Sequence, residues 1–253
     1  MLNDQVRQWT ASKVGALTEI NLLDEQGCTS QVQKISTASG CYILKSATKE
    51  KYRAWLKTEA EVLERLANHS IPVPRYFGFY EDEDASYLLM SFEEGMTLTS
   101  ALKQAASDGE KQDLMRSFGQ LLHDLHTLPA PAPTRDWLTQ QLELSAYYLQ
   151  QGEADGNAQL LEKLNNHKPS QIDQTWIHGD CTPDNVLVQA GKVTLFIDVA
   201  AMTVGDPRHD VALALRRCFQ NDVLKTAFYQ GYGRQTITDD EFRYFHDGLY
   251  EFF

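Results

Sequence analysis

The feature that most constrains this chain is a change of hydrophobic rhythm near residue 92. From Thr18 to Phe92 the sequence runs mostly on the two-residue beat of strands, and from Leu98 onward on the beat of helices. Thr18 to Leu23, Val32 to Ser36 and Cys41 to Lys45 are β-prone. The turn residues Asp24-Glu25-Gln26-Gly27 and Ser39-Gly40 separate them, which predicts a three-stranded meander. Tyr52, Trp55, Leu56, Val62, Leu63 and Leu66 then recur at helical spacing and stop before Ile71-Pro72-Val73-Pro74. Two more strands, Arg75 to Tyr80 and Ser86 to Phe92, flank the acidic turn Glu81 to Asp84. Beyond them helices are expected near Leu98 to Ala106, Lys111 to Leu128, Trp137 to Gln151 and Gln159 to Asn166, with Pro129 to Pro133 as a loop. One β-rich island interrupts the helices, at Thr175 to His178, Val186 to Gln189 and Val193 to Ile197, before Asp206-Pro207 starts another helix. The expected class is α+β: an N-terminal five-stranded antiparallel sheet with one main helix, residues 1–91, and a larger, mostly helical part, residues 92–253.

Composition narrows the partners. With 253 residues and 42% hydrophobic content the chain can bury a real core. The formal net charge of −12 disfavours nucleic acid and anionic membranes, because both are bound through clustered basic charge. It permits a cationic partner, although an acidic surface also serves solubility alone. Cys28, Cys41, Cys181 and Cys218 lack the paired spacing of a zinc or dithiol site, so free thiols in a reducing cytoplasm are expected. The start, MLNDQVRQW, lacks a leader pattern, and no apolar run reaches the roughly 18 residues of a membrane span.

The most informative segment is His178-Gly179-Asp180-Cys181-Thr182-Pro183-Asp184-Asn185, set between two short strands. Asp180 and Asn185 are spaced as in a kinase catalytic loop, where the Asp accepts the substrate hydroxyl proton and the Asn ligates magnesium. Taken alone, Asp, Pro and Asn are ordinary turn residues. Asp198, thirteen residues after Asn185 at the end of an apolar strand, supplies a second carboxylate and makes a constellation of the three. His178 is read as packing and bonding to hold the loop.

Such chemistry also needs a lysine for the nucleotide phosphates and a glutamate to fix it. Alternation puts Cys41, Ile43 and Lys45 on one face of their strand, and Glu59 falls inside the inward stripe of the first helix, where a carboxylate needs a partner. Glu61 lies on the outward side. Gly27-Cys28-Thr29-Ser30 is a hairpin turn that places Ser30 where phosphates would be covered. Leu88 to Phe92 would cross towards the second part and offer a purine the main chain of Met90, Ser91 and Phe92.

His178 to Val188, Phe196-Ile197-Asp198 and Asp206 to Leu215 resemble the aminoglycoside phosphotransferase and choline kinase superfamily. Ile71 to Pro74, Tyr87 to Ser91 and the closing Tyr250-Glu251-Phe252-Phe253 are similar to its 3'-phosphotransferase branch. The resemblance implies a two-lobed protein-kinase-like fold, with ATP or GTP held between the lobes, Mg2+ on Asn185 and Asp198, and an aminoglycoside-like acceptor. It assigns acceptor contacts to Arg216, Glu251 and Phe253. The chain departs from the branch at Val199-Ala200-Ala201, where a glycine and an arginine are usual after Asp198. It departs again at Pro183 and at Gln220-Asn221, where acidic residues occur. A kinase of another small hydroxylated or amino metabolite, and a catalytically silent nucleotide-binding regulator, therefore stand as alternatives.

Overall fold

The computed structural model describes residues 2–23, 26–27 and 29–253; Asp24, Glu25 and Cys28, from the two expected turns of the first hairpin, lie outside the described residues. The chain forms two compact units, Met1–Glu94 with Phe196–Ala201, and Gly95–Leu195 with Met202–Phe253.

The first unit contains α1 (Asp4–Val14), β1 (Leu17–Leu22), β2 (Gln31–Thr37), β3 (Gly40–Ala47), α2 (Glu50–Leu66), β4 (Tyr76–Glu81) and β5 (Ser86–Ser91). Its five strands pair antiparallel in the order β1-β2-β3-β5-β4, the expected sheet. Helix α1 adds to the one main helix expected. Asn3 caps it by accepting the Val6 N–H at 2.8 Å. Val6 and Val14 pack with Ile35, Leu44 and Leu89 on one sheet face, each such side chain contributing about 1.5–3 kcal/mol when fully buried. Strand alternation turns Lys45 of β3 to the opposite face, towards α2. There α2 buries Leu56, Glu59, Ala60, Val62, Leu63 and Leu66, so Glu59 is the one charged residue in an apolar stripe, while Glu61 is exposed.

The second unit carries β6 (Met96–Thr97), α3 (Leu98–Gln104), α4 (Asp108–Thr127), α5 (Trp137–Gln151), α6 (Ala158–Asn166), β7 (Thr175–Ile177), β8 (Val186–Gln189), β9 (Lys192–Phe196), β10 (Thr203–Gly205), α7 (Pro207–Ala214), α8 (Asp222–Tyr232) and α9 (Asp239–Phe245). Side chains of Ser107, Asp136, Asn157, Asp206, Asn221 and Thr238 each accept a first-turn N–H, which fixes where these helices start. Helices α4 and α8 meet backbone to backbone. A Cβ on Gly119 would lie 2.0 Å from the Phe228 carbonyl oxygen, and one on Gly231 would lie 1.9 Å from that of Arg116. The strands form the small sheets β10-β7 and β6-β8-β9. Among the described residues no helix is long and apolar enough to cross a membrane.

Candidate active site

In the first unit, Lys45 is the centre of a charged cluster. Its ammonium donates to both Glu59 oxygens, at 2.8 and 3.0 Å, and to Asp198 Oδ1. Lys45 and Glu59 are only 6% and 5% exposed, so neither charge is tolerable without the other. Burial alone would pull the Lys45 pKa down; the carboxylates of Asp198 and Glu59 outweigh it and hold the lysine above its ordinary range. The Val199 N–H adds a bond to Glu59. Asp198 reaches Lys45 because the chain after β9 is pinned, with Phe196 N–H donating to Pro72 O at 2.9 Å and the 3-10 turn Val199–Ala201 packing on α2. Asp198 itself has φ +56°, a left-handed conformation that Asp tolerates better than most residues, and its carboxylate stays half-exposed.

The expected nucleotide contacts are built unevenly. Ser30 is half-buried in the bend just before β2. The hairpin before it is stapled by Gln26, whose amide donates to Leu23 O and Val32 O and whose oxygen accepts the Val32 N–H at 2.8 Å. Met90 is buried at the end of β5. The N–H groups of Ser91 and Phe92 donate to Arg75 O (2.9 Å) and Cys41 O (3.4 Å), so they serve the sheet and are not the donors a purine would meet.

In the second unit, the loop from His178 to Asn185 is held from beneath by a buried polar network. Asp210 of α7 accepts the N–H groups of His178 (2.6 Å) and Gly179 (2.8 Å), and His126 Nε2 of α4 lies 3.2 Å from it. Burial opposes the Asp210 charge, but His126, His178 and His209 outweigh it and hold its carboxyl below the usual range. Gly179 turns at φ +83°, where a side chain would be strained. His178 is fully buried and its Nδ1 accepts the Asp180 N–H at 3.2 Å, the loop-holding role expected of it.

The loop presents Asp180 and Asn185 together. Asn185 Nδ2 donates to the Asp180 carbonyl and to Asp180 Oδ2, both at 2.8 Å. Tyr250 donates its hydroxyl to Asp180 Oδ1 at 3.1 Å. Arg216, expected at the acceptor, sits half-buried with its guanidinium 5.3 Å from the Tyr250 ring centre. Glu251 is exposed, and its carbonyl accepts the Gly156 N–H at 2.8 Å. Phe253 is 42% exposed and meets Tyr148 edge-on. The residue of the tail that reaches Asp180 is thus Tyr250, to which the resemblance assigns no role. Asp210 likewise has no role in the sequence pattern, where it reads as one more residue of the helix after Pro207.

The match to known proteins decides the family. Residues 23–245 fit the family described as "Phosphotransferase enzyme family". The chain belongs to this family. The phosphotransferase is 28% identical over 221 residues to the aminoglycoside 3'-phosphotransferase of Streptomyces fradiae, a similarity covering 78% of this chain and 80% of that one. The crystal structure of an aminoglycoside-3'-phosphotransferase of type VIII superposes with a TM-score of 0.78 at 25% identity, covering 93% of each chain. A local similarity, 38% over 93 residues, joins it to the homoserine kinase of Neisseria meningitidis, across 34% of this chain and 29% of that protein. The phosphotransferase is therefore an enzyme with the expected two-lobed α+β kinase-like fold.

Asn185 carries a hard oxygen of the kind magnesium takes. Both amide hydrogens of Asn185 are directed at Asp180, which leaves its side-chain oxygen as the atom that could face a cation. Hard oxygen donors in small number suit a metal that keeps waters and phosphate oxygens as its other ligands.

Proposed function

We propose that this phosphotransferase moves the γ-phosphoryl group of ATP, or of GTP, to a hydroxyl of an aminoglycoside-like cationic substrate in the cytoplasm. The observation that carries the reading is the buried Lys45–Glu59 pair, the pair phosphoryl transfer uses to hold the nucleotide phosphates, with the Asp198 carboxylate beside it. Residues 1–91 serve as the nucleotide-binding lobe, with Ser30, Met90, Ser91 and Phe92 next to the nucleotide. Residues 92–253 supply catalysis and acceptor binding. Asn185 and Asp198 would hold Mg2+, which when bound neutralises charge on the phosphate oxygens. Asp180 orients the acceptor hydroxyl and takes its proton. Arg216, Glu251 and Phe253 contact the acceptor.

A second reading, a kinase of another small hydroxylated or amino metabolite, is favoured by Val199-Ala200-Ala201 and Gln220-Asn221, where acceptor-facing charge departs from the aminoglycoside pattern. A silent nucleotide-binding regulator is disfavoured because Lys45, Asp180, Asn185 and Asp198 are all present. Mass spectrometry of an aminoglycoside panel mixed with small hydroxylated amines, after incubation with enzyme, ATP and magnesium, separates these. Phosphate on an aminoglycoside supports the first reading; phosphate only on a metabolite replaces it with the second; no phosphate on any compound contradicts the aminoglycoside assignment.

A further inference from the structure

The Asp180 carboxylate already meets a hydroxyl. Tyr250 donates to Oδ1 at 3.1 Å while Asn185 occupies Oδ2, so the phenol makes the contact a general base makes with the hydroxyl it is about to deprotonate. The phenol is held there. Leu249 and Phe252, on either side of it in the 3-10 turn Leu249–Phe252, are fully buried. The Gly156 N–H bonds to Glu251 O, and the Phe252 ring lies so close to Gly156 that a Cβ there would come within 2.6 Å. Arg216 covers the ring and bonds the hydroxyl. Burial, then the Asp180 charge, pushes the phenol up to about 12, so it remains a donor at neutral pH.

We propose that Tyr250 is an acceptor mimic whose hydroxyl takes the Asp180 oxygen that the substrate hydroxyl must reach, and which the substrate displaces on binding. The inference rests on the reading of Asp180 as the base. Without acceptor, the phenol keeps water from Oδ1 and so suppresses hydrolysis. In that side reaction water oxygen bonds to the γ-phosphorus, its bond to the bridging oxygen breaks, and the proton passes to Asp180, giving ADP and phosphate. Tyr250 acts only through Asp180 and is a positioning residue. It also selects acceptors, since only a molecule with enough other contacts offsets the lost bond.

The test is ADP release from ATP and magnesium without acceptor, in the wild type, Tyr250→Phe and Tyr250→Phe/Asp180→Asn. The phenylalanine keeps the ring beneath Arg216 and deletes the hydroxyl. Acceptor-independent release is expected to rise about tenfold, the scale of one hydrogen bond to a charged group, and to fall to the wild-type level or below in the double variant. With an aminoglycoside that the wild type phosphorylates, KM falls severalfold while kcat holds within about twofold. Should Tyr250→Phe lose its unfolding transition, Tyr250→Leu takes its place with the same expected direction. Unchanged or lower release in a variant that folds and binds ADP like the wild type overturns the proposal. A wild type that neither binds nucleotide nor releases ADP instead overturns the kinase reading itself, and the mimic falls with it.

Discussion

The charged cluster around Lys45 and the carboxylate of Asp180 are held by opposite means. Lys45, Glu59 and Asp198 are joined by charge, with Lys45 and Glu59 buried, so those two each need the other to be tolerated there. Asp180 is placed instead by a scaffold: Tyr250 and Asn185 donate to it as neutral groups, and the backbone under it hangs on Asp210. Removing Lys45 leaves the Glu59 charge buried without its partner, and removing Glu59 leaves Lys45 compensated on one side alone, whereas removing the Asp180 carboxylate leaves the scaffold in place. The cluster couples function to stability; the loop separates them.

Breaking that comparison begins with the largest effect. Asp180→Ala is expected to lose roughly 10²–10⁴-fold in turnover, the range for a positioned base, with little change in unfolding temperature; a fall of many degrees would erase the distinction. Glu59→Ala should cost stability as well as nucleotide use, on the order of 3 kcal/mol by urea unfolding, because Lys45 is stranded on one side. Unaltered ATP kinetics in that variant would remove Glu59 from the account. Gly231→Ala sharpens the contrast from a neutral site. Its Cβ would meet backbone, so about 1–3 kcal/mol of stability should be lost while the KM for ATP stays unchanged.

Much of this was legible in the sequence where physics is local. Alternation placed Lys45 on the inward face of its strand, and helical phase placed Glu59 in the buried stripe, so their meeting needed only that α2 pack on the sheet. The spacing of Asp180 and Asn185 fixed their contact within one loop. Helix α1 is not legible in the sequence because its buried stripe is Val6, Thr10 and Val14, and Thr10 hides its polarity by donating to Val6 O at 2.8 Å. Strands β6 and β10, of two and three residues, exist only because partners elsewhere in the chain complete them. Tyr250 on Asp180 bridges 70 residues, and Asp210 on His178 bridges 32; no periodicity encodes such contacts, and an aromatic in a tail reads first as packing.

The smallest effect concerns the scaffold beneath the loop. Burial holds His126 and His209 below the ordinary histidine pKa. Histidines kept neutral in the fold contribute stability that is complete above their unfolded value of about 6.5 and is lost as pH falls through the folded one. Melting temperature should therefore decline from pH 7 towards pH 5, and His126→Gln should flatten part of that slope. A slope identical to the wild type would remove His126 from the acid response.

The central claim is that one centre governs nucleotide and the other governs transfer. Calorimetric titration of ADP and magnesium into wild type, Glu59→Gln and Asp180→Asn, paired with turnover on the same samples, tests it most directly. The account predicts nucleotide affinity about tenfold weaker in Glu59→Gln, and wild-type affinity with turnover down at least about a hundredfold in Asp180→Asn. Near-normal turnover in Asp180→Asn, or equal nucleotide affinity in all three, would contradict it.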